Sequence, residues 1–196
     1  MTENELMNLI DEGASFLGDG NYRKASELFN KILVSGDLSG IGHYGLGLIA
    51  FQQNEMNRAK SSFLHAIKDN PESTESLNML GVILNLDGQY SEAVPYFQKA
   101  IDLQDDYIEA KRNLAETYLS LNEFEKAVTM WSQLLDSNAE NIDVILRFAD
   151  FYFENQDFEK CTVYLRRAQK IDPDIEEVQE LLHRVEVLQG KKQDAE

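Results

Sequence analysis

The chain has 196 residues, of which 43% are apolar, and its formal net charge is −17. The apolar content is sufficient for a folded core, whereas the charge opposes binding to nucleic acids or anionic membranes, which requires clustered lysine and arginine. A single cysteine excludes an internal disulfide framework.

The N-terminal residues MTENELMNLIDEG are acidic and lack the basic start and apolar stretch of a signal peptide. No later stretch approaches the ~18–20 consecutive apolar residues of a membrane span. We therefore expect a cytoplasmic protein that does not insert into a membrane. Residues 1–5 are expected to be frayed, and the regular pattern begins at Leu6.

A pattern of small and large residues recurs every 34 residues, as between Ala25 and Ala59. The small positions are Ala25, Ala59, Ala93, Ala127 and Cys161. Large apolar residues follow four positions later, at Phe29, Phe63, Phe97, Trp131 and Leu165. A second small set stands twelve positions before the first, at Gly13, Gly47, Gly81, Ala115 and Ala149. The pattern predicts five helix pairs, because small residues let paired helices approach and large ones fill the groove between neighbouring pairs.

The predicted turn inside each pair also repeats in kind. Its residues are Gly20, Asn54, Gly88, Asn122 and Gln156. Glycine and asparagine adopt the left-handed conformation that ends a helix at little cost. We expect the turn at Gln156 to be more strained or differently shaped.

These positions, with Pro71 and Pro173 near the ends of their repeats, resemble the tetratricopeptide repeat (TPR) family. The resemblance implies an all-α, right-handed superhelical solenoid of five TPR helix pairs. It places the repeats at 6–39, 40–73, 74–107, 108–141 and 142–175. Because the family mostly supplies interaction surfaces for unrelated partners, the implied function is a protein–protein interaction scaffold and not an enzyme.

Helical periodicity continues beyond the fifth repeat, at Ile175, Val178, Leu182, Val185 and Leu188. We expect a capping helix over residues 174–189 that covers the last repeat. Gly190 is expected to end it, leaving a loose tail over residues 190–196.

The segment Gly40-Ile41-Gly42-His43-Tyr44-Gly45 has the glycine spacing of a dinucleotide-binding loop. Such a loop needs a preceding strand and a helix N-terminus, whereas these glycines fall inside the predicted first helix of repeat 2. We expect no nucleotide here. Since glycine costs up to ~1 kcal/mol relative to alanine inside a helix, repeat 2 is expected to be a soft point.

No combination of residues indicates catalysis. His43, His65 and His183 are expected to lie far apart, and no histidine, cysteine or carboxylate spacing suggests a metal. Cys161 occupies a small-residue position and is interpreted as a buried core thiol. The sequence therefore predicts no catalytic residue, no metal and no cofactor.

In TPR proteins the first helix of each repeat lines the concave side, where its non-core positions meet the ligand. The resemblance thus implies a groove that is apolar in repeats 1–3 and charged in repeats 4–5. Its predicted residues are Met7, Ile10, Ala14, Leu17, Ile41, Tyr44, Leu48, Phe51, Asn78, Met79, Val82, Arg112, Asn113 and Arg147. We expect a protein or peptide partner with an apolar segment, whose acids would pair with Arg112 and Arg147. The alternative for several of these side chains is a place in the core between neighbouring repeats.

The Lys/Asn/Lys/Arg set with which many TPR proteins hold a chaperone's acidic C-terminus is missing from these positions. Two other functions remain open. The same patch could bury itself against another copy, which would make the chain a self-associating scaffold or assembly factor and a homo-oligomer. The chain could also be the TPR arm of a larger modification enzyme, such as a glycosyltransferase.

Overall fold

A computed structural model describes residues 2–36, 38–138 and 140–193. Within these ranges the chain forms eleven α-helices and no strand, which confirms the all-α fold of successive helix pairs followed by a further helix. The helices are α1 (Glu3–Gly18), α2 (Tyr22–Ser35), α3 (Ser39–Gln52), α4 (Met56–Asp69), α5 (Thr74–Leu86), α6 (Tyr90–Leu103), α7 (Ile108–Ser120), α8 (Phe124–Ser137), α9 (Ile142–Glu154), α10 (Phe158–Ile171) and α11 (Glu176–Gln193).

The chain divides into two compact units, Met1–Leu121 and Asn122–Glu196. The N-terminal unit contains α1–α7, in which each helix contacts the next along the chain. The C-terminal unit contains α8–α11, and its successive helices contact one another likewise. This pattern is typical of helix-pair repeats, in which each element packs mainly on its neighbours in sequence.

The repeated small residues are the points where paired helices meet. Ala25, Ala59, Ala93, Ala127 and Cys161 are all fully buried. In the first three repeats, the glycine of the first helix lies against the phenylalanine of the second. A Cβ atom at Gly13, Gly47 or Gly81 would lie 3.1, 2.7 or 2.7 Å from the ring of Phe29, Phe63 or Phe97, respectively. The small residues are therefore required by close helix packing.

The glycines of α3 also have a packing role that the sequence analysis did not foresee. A Cβ atom at Gly45 would lie 2.4 Å from the Phe29 ring, and one at Gly42 would lie 2.8 Å from Leu33. These glycines allow α3 to approach α2 closely, while Gly47 does the same for α4. The expected softness of repeat 2 rested on helix propensity alone and stays a prediction.

All five turns inside the repeats contain a residue in the left-handed region. The φ angles are 72° at Gly20, 61° at Asn54, 72° at Gly88, 59° at Asn122 and 58° at Gln156. The alternative of a differently shaped fifth turn is therefore wrong, because Gln156 has the same conformation as the others. Strain at this turn is still expected, because the left-handed conformation is unfavourable for a residue with a Cβ atom.

The two ends of the chain differ from expectation. Residues 1–5 were expected to be frayed, but α1 begins at Glu3 because Thr2 and Glu5 form a capping box. In it the Glu5 backbone N–H donates to Thr2 Oγ1 at 3.3 Å, and the Thr2 backbone N–H donates to Glu5 Oε2 at 2.7 Å. Residue 1 lies outside the described residues.

At the other end, α11 runs from Glu176 to Gln193 and does not stop at Gly190. The expected tail over 190–196 is thus helical as far as residue 193, and residues 194–196 lie outside the described part. Among the side chains of α11 that the structure describes, Val178, Leu181 and Val185 are buried. Since α10 and α11 are in contact, α11 buries this apolar stripe against the fifth repeat, as a capping helix requires.

Candidate functional site

The first helices of repeats 1–4 all belong to the N-terminal unit, where α1 contacts α3 and α5 contacts α7. We call the side of these four helices that carries the expected groove residues, together with the residue that precedes each helix, the first-helix face. It includes all but one of the residues expected in the groove: Met7, Ile10, Ala14, Leu17, Ile41, Tyr44, Leu48, Phe51, Asn78, Met79, Val82, Arg112 and Asn113.

Most apolar members of the first-helix face are partly buried. Met7 is half exposed and Ala14 is exposed, whereas Ile10 and Leu17 pack against the core cluster around Leu6 and Phe29. On the next helices, the partly buried residues are Ile41, Tyr44, Leu48, Phe51, Met79 and Val82. Such side chains support the core and still present apolar surface to solvent, and their role in binding a partner stays a prediction.

Tyr44 of α3 is held by packing from repeat 2. Its ring lies 5.8 Å from the Phe63 ring, measured between centroids, at a tilt of 54°. Partial burial raises the pKa of the Tyr44 phenol, and the negative charge of Glu75 raises it further. Tyr44 of repeat 2 therefore lies near the first turn of α5 in repeat 3.

Tyr107 is a member of this site that the sequence analysis missed. Burial raises the pKa of Tyr107 to about 12, with smaller contributions from Tyr44, Glu75 and Glu109. A side-chain hydrogen bond from Asn78 acts in the opposite direction. Tyr44 and Tyr107, which are far apart in sequence, thus both lie near Glu75.

The 34-residue period contains a signal that could have identified Tyr107 as a functional residue. Ser73, Tyr107 and Asn141 occupy equivalent positions and precede α5, α7 and α9 as N-cap residues. The side chains of Ser73 and Asn141 accept a hydrogen bond from the first turn of their helices, but that of Tyr107 does not. A large aromatic residue at a capping position indicates that its side chain serves another contact.

Asparagine and threonine side chains connect α5 to α7. Asn113 donates a hydrogen bond from Nδ2 to Oδ1 of Asn78 at 2.9 Å, and Asn78 is buried. Nearer the ends of the same two helices, Asn85 of α5 donates a hydrogen bond from Nδ2 to Oγ1 of Thr117 of α7 at 2.7 Å. The hydroxyl of Thr117 in turn donates to the backbone carbonyl of Asn113 at 2.6 Å. The predicted residues Asn78 and Asn113 are therefore paired with each other and fix the distance between two first helices.

The ionised residues of the first-helix face are exposed. Glu75, Glu109 and Arg112 form no salt bridge with any residue in the described ranges. Lys111 is buried and directs its ammonium to Asp105, with Nζ and Oδ1 separated by 3.2 Å. Glu75, Glu109 and Arg112 therefore present charges to solvent that no salt bridge among the described residues neutralises.

Arg147, the remaining predicted residue, lies on α9 in the C-terminal unit and is exposed. Burial raises the pKa of the nearby Asp150 carboxyl, and the negative charge of Glu177 raises it further. The positive charge of Arg147 lowers the same pKa, which indicates that Arg147 lies close to Asp150. Arg147 thus already interacts with an acid of its own unit.

Two of the histidines and the single cysteine lie within helix pairs. His43 and His65 were expected to lie far apart, but their rings stack at 5.1 Å because α3 and α4 pair within repeat 2. Cys161 is fully buried, and burial raises the pKa of its thiol to about 11, which disfavours the reactive thiolate. No group of three or more metal-ligating side chains occurs in the part of the chain that the structure describes.

Family models of the tetratricopeptide repeat match residues 10–59, 62–94, 84–140 and 142–175. The chain belongs to the tetratricopeptide repeat family. This TPR chain is 26% identical over 135 residues to the anaphase-promoting complex subunit CDC16 of Saccharomyces cerevisiae. The match covers 65% of this chain but only 16% of the yeast subunit.

Solved TPR structures resemble the chain over most of its length. It matches PilF of Pseudomonas aeruginosa with a TM-score of 0.81 at 19% identity, covering 98% of this chain and 88% of PilF. It matches YrrB, described as a TPR protein with an unusual peptide-binding site, with a TM-score of 0.72 at 21% identity, covering 90% and 89% of the two chains. At these identities the likeness shows the fold.

Among the residues described, no helix combines the length and the apolar character needed to cross a bilayer.

Proposed function

We propose that this TPR chain is a non-catalytic binding scaffold whose first-helix face holds an apolar segment of a partner protein. The observation that carries this proposal is the row of partly exposed apolar side chains along α1 and α3, from Met7 to Phe51. An exposed apolar surface bordered by polar groups is a frequent mark of a protein interaction site. The segment would be a helix or an extended strand of the partner.

The arrangement around this row favours binding over simple core packing. Asn78 and Asn113 hold α5 and α7 at a fixed separation, so the surface is organised before a partner arrives. A preorganised surface loses less conformational entropy on binding. Arg112 is exposed and forms no salt bridge among the described residues, so it is available to pair with an acid of the partner and set its direction.

The comparisons are compatible with this proposal. CDC16 is a subunit of a multiprotein complex, and YrrB is described as having a peptide-binding site. Both proteins use the fold that this chain shares. The scaffold proposal extends that role to the first-helix face of this chain and its apolar residues.

The proposal is tested by selecting peptides from a random 12-residue phage-displayed library on the immobilised full chain. The peptide that binds most tightly is then titrated against the wild type and against Tyr44→Glu with Leu48→Glu. We expect the double variant to weaken binding by at least about tenfold, since buried charge opposes apolar contact. Circular dichroism on each variant confirms that the helices remain folded.

Leu64→Glu is the matched control, because Leu64 is 45% exposed on α4, the second helix of the same repeat. This variant adds a comparable charge outside the first-helix face and should bind the peptide like the wild type. Equal binding by the wild type and the Tyr44/Leu48 variant would contradict the proposal.

Self-association is a second candidate, favoured by the exposure of Met7 and Ala14 on α1. If the face of α1 joins two copies, Met7→Glu should convert a dimer into a monomer. Sedimentation equilibrium measures this directly, and a wild-type protein that stays monomeric at high concentration would eliminate the candidate.

A further inference from the structure

The centre of the first-helix face combines two aromatic rings with two carboxylates. Tyr44 comes from α3, Glu75 from the first turn of α5, and Tyr107 and Glu109 from the start of α7. Three successive repeats therefore contribute to one cluster, which we call the tyrosine–glutamate cluster. Asn113 of α7 donates a hydrogen bond to Asn78 of α5 at 2.9 Å, so the starts of these two helices, which carry Glu75, Tyr107 and Glu109, lie side by side. Tyr44 occupies the position on α3 that is equivalent to Asn78 on α5, 34 residues earlier. The raised pKa of Tyr107, to which Tyr44, Glu75 and Glu109 contribute after burial, agrees with this placement.

The rings of this cluster are fixed while its carboxylates face solvent. Tyr44 is partly buried beside Phe63 at 5.8 Å, and Tyr107 is partly buried beside Asn78. Glu75 and Glu109 are exposed. The cluster therefore combines aromatic surface that is held in place by the core with carboxylates that face solvent.

The cluster has two carboxylates, and one exposed guanidinium, that of Arg112, lies three residues after Glu109 on α7. Neither Glu75 nor Glu109 forms a salt bridge within the described ranges, and the nearby Lys111 is directed to Asp105. Repeat 3 as a whole carries one lysine and six acids between residues 74 and 107. The field at this point of the face is negative, so it favours a basic group and repels an acidic one.

A lysine or arginine side chain matches both features of the cluster. Its aliphatic stem packs on aromatic faces while its charged head remains at a polar rim. The head gains cation–π attraction from a nearby tyrosine and pairs with carboxylates. An apolar side chain would gain the aromatic contacts but leave the carboxylates without a partner.

We infer that the tyrosine–glutamate cluster binds a lysine or arginine side chain of the partner segment. This inference rests on the proposed function, since the apolar residues flanking that basic side chain would lie along α1 and α3. It adds a specificity rule: the recognised segment is an apolar stretch with one basic residue at a fixed position. Partner segments carrying an acid at that position are rejected.

The test uses the random 12-residue library described above on the full chain. Peptides selected by the wild type are expected to share a lysine or arginine at one position relative to their apolar residues. In the tightest peptide, replacing that residue by norleucine should weaken binding about tenfold. Against Glu75→Gln with Glu109→Gln, the same replacement should change binding by less than about twofold, because the carboxylates are gone.

Two further variants complete the design. Glu92→Gln is the matched control, since Glu92 is exposed on α6, the second helix of repeat 3. Replacing the basic residue of the peptide by norleucine should weaken its binding to this variant as much as its binding to the wild type. Glu75→Lys with Glu109→Lys reverses the charge and should select peptides with an acid at the position that was basic.

The outcomes separate this inference from the proposed function. Selected peptides that lack a shared basic position, yet lose binding with Leu48→Glu, would overturn the inference and leave the apolar face as the binding site. A norleucine replacement without effect on the wild type would overturn it equally. If no selected peptide responds to Leu48→Glu, both the inference and the proposed function fail.

Discussion

Gly45 of α3 lies so close to the Phe29 ring of α2 that a Cβ atom on the glycine would be 2.4 Å from the ring. Phe29 is itself buried, with 4% of its surface exposed. The contact joins the second helix of repeat 1 to the first helix of repeat 2. The spacing between two repeats, and with it the geometry of the first-helix face, therefore depends on the absence of a side chain at Gly45.

Gly45→Ala is expected to destabilise the N-terminal unit by about 1–3 kcal/mol, the usual cost of overpacking a core. The gain in helix propensity, about 1 kcal/mol, does not offset a displaced backbone. Gly18→Ala is the control, because a Cβ atom at Gly18 would meet nothing within 4 Å. Urea unfolding followed by circular dichroism measures both, and an equal effect of the two substitutions would refute the packing role.

Gln156→Gly is expected to stabilise the chain by about 0.5–1 kcal/mol. Gln156 has a φ of 58°, a conformation that costs a residue with a Cβ about 1–2 kcal/mol. The greater freedom of glycine in the unfolded chain offsets part of the gain. Thermal unfolding should show a higher midpoint for the variant.

Gly88→Ala provides the reverse of this experiment. Gly88 occupies the equivalent turn of repeat 3, with a φ of 72° and open space around it. The substitution should lower the midpoint by a similar amount, because only the backbone conformation opposes the added methyl group. Stabilisation by Gly88→Ala, or destabilisation by Gln156→Gly, would show that these turns are not strained.

Asn113→Ala is expected to cost about 1–2 kcal/mol of stability, since it leaves the buried Oδ1 of Asn78 without its donor. Asn57→Ala is the control, because Asn57 is an exposed residue of α4. Chemical denaturation compares the two variants. If Asn113→Ala has no larger effect than Asn57→Ala, the hydrogen bond between α5 and α7 is not what sets their separation.

Alkaline pH is expected to weaken the N-terminal unit through Tyr107. Its pKa is about 12 in the folded protein and about 10 for a free tyrosine. The folded protein therefore holds the phenol proton more tightly than the unfolded chain does. The contribution of Tyr107 to the free energy of unfolding is fully present below pH ~10 and is lost as the pH rises toward ~12. The phenolate absorbance of the wild type and of Tyr107→Phe is titrated against pH. The difference between the two curves should have its midpoint near pH 12. A midpoint near 10 would contradict the burial of this phenol.

The 34-residue period was sufficient to predict the helix pairs, because buried small and large residues constrain the sequence more strongly than any other part of this fold. It gave Ala93 and Phe97 their places in the core. The period also predicted the left-handed turns. It could not distinguish the shape at Gln156, since that depends on whether the neighbouring helices compel a residue with a Cβ to adopt it.

The candidate site was less accessible from the sequence. The sequence predicted Tyr44 and Leu48 on this face because they lie in the first helix of their repeat. It did not predict the charged and aromatic residues that the starts of other helices add to the face. Tyr107 precedes α7 and Glu75 lies in the first turn of α5. Their meeting with Tyr44 depends on how three repeats stack, and a pattern read one repeat at a time does not contain that information.

The stacking of His43 on His65 was missed for a related reason. The two residues are separated by a turn and most of two helices, so their distance along the chain is large. In a helix pair the second helix returns antiparallel to the first, which brings residues at equal distances from the turn together. Within repeat 2, His43 and His65 are such a pair.

The location of a bound peptide tests the central claim most directly. A peptide selected by the wild type, with a benzophenone group replacing one apolar residue, is photo-crosslinked to the full chain, and the attached residues are identified by mass spectrometry. We expect crosslinks on α1, α3 and α5, including Leu48 or Phe51, and their loss in the Tyr44→Glu, Leu48→Glu variant. Crosslinks confined to the second helices α2, α4 and α6 would contradict the assignment of the first-helix face as the binding surface.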